Sequence, residues 1–128
     1  ALQKLALEQG SKNGLHVFIE THGEENLPEA TTTGLYAIAQ EALTNIAKHS
    51  GVCEAVVRLR LMKNGSCLEI EDHGRGFDPQ TIPAQRGHLG LAGMSERACD
   101  MGWCLSVESQ PGQGTRVRVL QPMTGESQ

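Results

Sequence analysis

The stretches "EAVVRLRL" (54–61) and "LEIED" (68–72) constrain the fold of this chain more than any others. In the first, Ala55, Val57, Leu59 and Leu61 alternate with Arg58 and Arg60; in the second, Leu68 and Ile70 alternate with Glu69 and Glu71. Strand side chains point to opposite faces with period two, so each stretch reads as a strand with one apolar face and one wet face. "KNGS" between them carries the Asn-Gly pair of a tight hairpin, which makes the two strands antiparallel partners. "WCLSVES" and "GTRVRVLQ" repeat the arrangement around "QPGQ", a Pro-Gly turn, with Thr115, Val117 and Val119 on one face and Arg116 and Arg118 on the other.

Helical periodicity supplies the second layer. Leu35, Ile38, Ala39, Ala42, Leu43, Ile46 and Ala47 recur at the spacing of one helix face, with Thr31 to Thr33 offering an N-cap and Ser50-Gly51 a stop. "LAGMSERACDMG" places Leu91, Met94, Ala98 and Met101 at helical spacing and ends at Gly102, and "ALQKLALEQG" reads as the last turns of a further helix. "GLHVFIET" predicts a first strand with Val17 and Ile19 on one face, "HGEENLPEA" a polar loop, and residues 73–90 a glycine-rich irregular segment. Hairpin strands interrupted by single helices predict a two-layer α/β sandwich: a mixed, mostly antiparallel sheet covered on one face by about three helices. A chain of 128 residues suffices for one domain with one core.

Composition narrows the function. A formal net charge of −4 argues against broad nucleic-acid binding. No apolar run approaches the roughly 18 residues that span a bilayer, and no signal-peptide pattern opens the chain, so this piece is expected to be a soluble, cytoplasmic domain. Cys53, Cys67, Cys99 and Cys104 form no C-x-x-C pair and are expected to be reduced, mostly buried thiols. His49 and Cys53 are four residues apart, but Ser50-Gly51 breaks the helix between them, which removes the metal-site reading.

Three places carry candidate chemistry. Asp72 has the parity of Leu68 and Ile70, so its carboxylate turns inward if the strand lasts that far, and lies in a solvated Asp-x-Gly turn if it does not. Glu41, Asn45 and Lys48 fall within roughly 60° of one another on the long helix, either a solvated face or a set that suits Mg²⁺, phosphate and proton handling. Gly87, Gly90 and Gly93 surround the start of a predicted helix, where bare N–H groups suit a phosphate; a flexible surface loop is the competing account. Thr115 shares the parity of Val117 and Val119, so a hydroxyl and the Asp72 carboxylate converge if both faces line one core. Such a pocket suits a flat heterocycle with an amino group, as adenine is, while a core Thr bonded to nearby backbone is the plainer alternative. "DHGRGFDP" lacks the third glycine of a dinucleotide fingerprint, and no Gly-Lys-Ser/Thr loop is present.

Taken in order, "EALTNIAKH", "DHGRG", "GHLGLAGMSER" and "GQGT" resemble the N-box, the first and second glycine boxes and the terminal G-x-G-T element of the ATPase superfamily of gyrase, Hsp90, histidine kinases and MutL. The likeness spans about residues 15–121 and is nearest in style to bacterial sensor histidine kinases of the nitrate/nitrite and membrane-fluidity type. It implies ATP and Mg²⁺ as cofactors, with Asn45 as metal ligand and Asp72 on the adenine amine. It places Lys48 and His49 near the phosphates and Gly74, Gly76, Gly87, His88, Gly90, Leu91 and Gly93 along the lid and phosphate loop. Thr115 would complete the adenine contacts, and Glu41 would orient or deprotonate the phosphoacceptor as the catalytic residue.

The sequence departs from the family in two ways. The stretch from Phe77 to Gly87 is short and has no second phenylalanine, which puts an aromatic clamp in doubt. None of the five histidines sits in a phosphoacceptor helix: His16 lies in a strand, His22 in a loop, and His49, His73 and His88 in the nucleotide motifs. The resemblance therefore implies a donor domain at 13–121, preceded at 1–12 by the end of a helix from a dimerisation and phosphotransfer domain and followed at 122–128 by a polar tail. The implied partners are that upstream domain of the same polypeptide and a response regulator, with no nucleic acid. The full protein would be a membrane-anchored homodimer and the isolated domain a monomer. A serine kinase of the anti-sigma type, another ATPase of the superfamily, or a degenerate docking domain are the alternatives.

Overall fold

The computed structural model describes residues 2–23, 26–49, 51, 53–63, 65–74 and 91–122. In chain order these form α1 (Leu2–Asn13), β1 (His16–Gly23), α2 (Glu29–His49), β2 (Glu54–Leu61), β3 (Cys67–Asp72), α3 (Leu91–Asp100), β4 (Cys104–Gln110) and β5 (Gly114–Leu120). The strands make one sheet in the order β1-β2-β3-β5-β4, with β1 parallel to β2 and every other pair antiparallel.

Register follows the alternation. Leu59 sits opposite Leu68, and Val57 opposite Ile70, and the row continues to Val117 and Val107. These apolar faces meet the helices in one cluster that includes Leu5, Leu35, Ile38, Ala39, Leu43, Met94, Ala98 and Trp103. Ile38, Ala39, Ala98 and Val119 are fully buried, so the periodic stripes of α2 and α3 are the faces that cover the sheet. α1 belongs to the same layer: Leu5 and Gln9 are buried, Gln9 donates to Thr44 on α2, and Tyr36 donates to Glu8.

The opposite face of the sheet carries Phe18, Val56 and Leu120 toward its margins and is held at its centre by charges. Arg58 bonds Glu69 at 2.9 Å and Glu71 at 2.8 Å and lies 3.3 Å from Glu20. Arg116 reaches Glu71 at 3.0 Å, and Arg118 reaches Glu69 at 2.8 Å. Arginine hydrogen bonds and burial pull the Glu71 carboxyl in opposite directions, and the Arg58 bond, the largest effect, leaves it lowered. At Glu69 burial is the largest effect and pushes upward, but the bonds from Arg118 and Arg58 together with nearby charge leave that carboxyl lowered as well. Individual exposed ion pairs contribute little, about 0–1 kcal/mol, so the network matters mainly by keeping four strands in register without a covering layer.

Three expectations need correction. β1 runs to Gly23, so His22, expected in a loop, lies in a strand. α2 begins at Glu29, ahead of Thr31 to Thr33: Pro28 precedes the first turn, and its carbonyl accepts from the Thr32 amide at 3.0 Å and from the Thr32 hydroxyl at 3.3 Å. Proline's fixed φ suits a helix start, and the threonines lie inside the helix. The cysteines are free but not mostly buried. Cys53, Cys99 and Cys104 are exposed and Cys67 is half-buried. Cys67 and Cys104 have the parity of Glu69 and Ser106, which puts both on the uncovered face of the sheet, and Cys99 lies off the Met94–Ala98 stripe of α3.

Candidate functional site

β3 does last to Asp72. Its Cα pairs with that of Thr115, and the residue is only 3% exposed, so the carboxylate lies on the covered face in line with Leu68 and Ile70. The solvated-turn alternative does not hold, although the Asp-x-Gly contact is made: the Gly74 amide donates to Asp72 Oδ1 at 2.7 Å. The acid is thus buried and turn-bound at once. Burial, the largest effect, pushes the Asp72 carboxyl above the usual aspartate range against the Gly74 bond, which favours the charged form. A buried acid with that bias is a candidate for recognising a ligand donor.

Thr115 stands beside it at the start of β5, and Ser109, the last core-facing residue of β4, stands on the far side of Thr115. The Ser109 and Thr115 hydroxyl oxygens are 2.8 Å apart, and Ser109 Oγ donates to the Gly114 carbonyl at 3.0 Å. The close approach of β5 to β3 depends on Gly114. Its φ is 86°, and a Cβ there would overlap the Asp72 carbonyl oxygen and stand 2.8 Å from His73 Cα. Glycine is the residue that takes this conformation and this contact without strain. A cleft of about 440 Å³ opens around this end of the sheet, lined by Asp72, Ser109, Gly114 and Thr115 together with Glu71, Glu108 and Arg116 of the uncovered face.

The helix residues take the places their spacing predicts. Glu41 and Lys48 are exposed and Asn45 is half-buried, along one edge of the buried Ala42–Leu43–Ile46 stripe of α2. α2 packs on both β2 and β3, the latter ending at Asp72. One amide oxygen flanked by an exposed carboxylate and an ammonium fits Mg²⁺, which keeps most of its ligands as water and substrate phosphate. Gly93 is exposed in the first turn of α3, and among the described residues nothing stands within 4 Å of a Cβ built there. His49 closes α2 and Leu91 opens α3, their side chains outside what is described; Gly76, Gly87, His88 and Gly90 lie outside the described residues. Ser109 was not singled out by sequence, although its parity with Leu105 and Val107 is the same signal that marks Thr115.

Comparison with known proteins places the chain in a family. The family described as histidine kinase-, DNA gyrase B- and HSP90-like ATPases matches residues 30–125, and the chain belongs to it. Two curated relatives are histidine kinases by name. The chain is 34% identical over 102 residues to the signal transduction histidine-protein kinase/phosphatase DegS of Brevibacillus brevis, covering 80% of this chain and 26% of that protein. It is 30% identical over 120 residues to the sensor histidine kinase ComP of Bacillus subtilis, covering 93% of this chain and 16% of that one. The chain therefore spans about a quarter of the first of these relatives and less of the second. Among solved structures, the histidine kinase domain of the blue-light activated histidine kinase of Erythrobacter litoralis EL346 superposes with a TM-score of 0.74 at 24% identity, covering 95% of this chain and 59% of that one. That likeness supports the fold: a five-stranded mixed sheet with three described helices on one face.

Proposed function

We propose that this domain binds Mg²⁺–ATP and transfers the γ-phosphoryl group to a histidine on a separate dimerisation domain of the same polypeptide, for relay to an aspartate of a response regulator. Membership in the ATPase family and sequence likeness to sensor kinases support this reading. The observation that carries it is Asp72: a carboxylate 3% exposed, at a strand end, in register with a hydroxyl. An inward acid of this kind has no structural ion-pair partner among the described residues and suits the exocyclic amine of adenine.

The remaining roles follow from placement. Asn45 would ligate Mg²⁺, whose charge bridges the phosphates, while Lys48 and His49 at the end of α2 would meet the phosphate tail. Room above Gly93 at the start of α3 would admit phosphate oxygens to main-chain N–H groups, with Gly74, Gly76, Gly87, His88, Gly90 and Leu91 completing the lid and loop. Glu41, exposed at the edge of α2, would orient the incoming histidine or take its proton. Phosphoryl transfer demands positioning and charge neutralisation above all, and these residues supply both. No helix among the described residues is long and apolar enough to cross a membrane; we place the domain on the cytoplasmic side of a membrane-anchored, homodimeric sensor.

Titration of a fluorescent ADP analogue into the 128-residue chain, with and without Mg²⁺, tests the proposal. Saturable binding that Asp72→Asn weakens about 10- to 100-fold is expected. Equal affinity of wild type and Asp72→Asn would overturn the adenine assignment.

A further inference from the structure

Asp72, Thr115 and Ser109 form a row across β3, β5 and β4, each a Cα partner of the next. The hydrogen atoms in that row can be assigned. The Gly114 carbonyl can only accept, so the 3.0 Å contact from Ser109 Oγ uses the single Ser109 hydroxyl hydrogen. The 2.8 Å contact between Ser109 and Thr115 is then a hydrogen bond only if Thr115 donates. Both contacts are satisfied together in one direction: Thr115 to Ser109 to Gly114. Thr115 thereby spends its hydrogen away from Asp72 and keeps only lone pairs for the cleft that Asp72, Ser109 and Thr115 line.

We infer that Ser109 is a positioning residue that fixes Thr115 as a hydrogen-bond acceptor, so that the base pocket offers two acceptors and selects a 6-amino purine over a 6-oxo purine. The inference rests on the adenine reading above and adds to it the residue that sets the polarity of the pocket. An exocyclic amine has two N–H groups, one for Asp72 and one for Thr115. A 6-oxo group meets two lone-pair bearers and gains nothing. Without Ser109 the Thr115 hydroxyl can rotate and donate, either to a 6-oxo group or to Asp72 itself, and both weaken the preference. A site's buried polar groups discriminate most when their donors and acceptors are fixed in advance.

Calorimetric titration of ADP and of inosine diphosphate, which carries a 6-oxo group in place of the amine, tests this on the 128-residue chain. The readout is the ratio of the two affinities, which general loosening of the domain does not move. Ser109→Ala is expected to lower the ADP preference about tenfold, the equivalent of one hydrogen bond. Ser109→Thr keeps the hydroxyl and restores the wild-type ratio. In a Thr115→Val background, Ser109→Ala changes the ratio no further, because the two residues act as one unit. An unchanged ratio in Ser109→Ala, or equal loss of both ligands, overturns the inference while leaving the adenine site standing. If Ser109→Ala does not fold, Thr115→Val reads the same point: selective loss of ADP supports it and equal loss of both contradicts it. Wild type that binds no ADP, or binds it independently of Asp72, instead removes the proposed function and this inference with it.

Discussion

Asp72→Asn separates what this side chain does for the fold from what it does for a ligand. The residue is 3% exposed, and among the described residues its hydrogen-bond partner is the Gly74 amide at 2.7 Å. Asparagine has the same shape, can accept that bond through its own oxygen, and brings no charge into the interior. Burial pushes the Asp72 carboxyl upward, so the folded state disfavours the charge. A group raised in this way contributes stability below its unfolded pKa, near 3.9, and that contribution is lost as pH rises through the folded value. At neutral pH the amide should therefore stabilise the ligand-free domain by on the order of 1 kcal/mol, the residue of a larger desolvation cost after the weakened Gly74 bond is subtracted. For a domain of this length that is a rise of roughly 4 °C in Tm. The advantage should shrink as pH falls through the raised folded value and level off by about pH 4. With ADP the order reverses. At about 100 times the wild-type Kd, ligand adds about 2.7 kcal/mol, or roughly 10 °C, to wild type. Loss of a charged hydrogen bond worth about 1.5–3 kcal/mol weakens the variant about 10- to 100-fold and leaves a much smaller rise, roughly 2 °C at the weak limit. Thermal unfolding by circular dichroism at pH 7, with and without ADP, measures all four values. A variant less stable than wild type that keeps the full ADP shift would refute the reasoning.

Gly114→Ala should lose about 3 kcal/mol or more of stability in urea unfolding, because it combines a φ of 86° with overlap onto the Asp72 backbone. Glu71→Gln should flatten the acid limb of the stability curve. The lowered Glu69 and Glu71 carboxyls contribute stability that is present above about pH 4.3 and lost as pH falls through their folded values, and removing one of the two shortens that fall. At neutral pH the same substitution should cost about 1 kcal/mol, since Glu71 accepts from both Arg58 and Arg116. Asn45→Asp should change the Mg²⁺ dependence of ATP binding while leaving ADP binding in chelator within about twofold; unchanged metal dependence removes Asn45 as a ligand.

Where a side chain repeats with a clean period, the chain states its own fold. Ala55–Val57–Leu59 and Leu68–Ile70 predict β2 and β3 to within a residue, and the Ile38–Leu43–Ile46 stripe predicts α2, because the core and the wet face sort residues by nothing but period. What periodicity does not carry is strand order. Nothing in "GLHVFIET" says that β1 joins β2 in parallel and at the sheet edge, since that pairing is set by the crossing of α2 between them. Helix starts are also poorly marked: a run of three threonines outweighs one Pro28 by eye, yet the proline lies at the boundary. The cysteines misled for a related reason. Burial frequency is a property of the residue type, while Cys67 and Cys104 follow the parity of their strands to the open face. At the site, parity alone brought Asp72 and Thr115 to one face, but their adjacency needed the β3–β5 register, and that register depends on Gly114. Ser109 became visible only when its two oxygen contacts were placed.

A crystal structure of this chain with ADP tests the central claim most directly. The account predicts the adenine N6 amine about 3 Å from an Asp72 carboxylate oxygen, with Thr115 on the same side of the base. A base seated anywhere that leaves the Asp72 carboxylate without contact to N6 would contradict it.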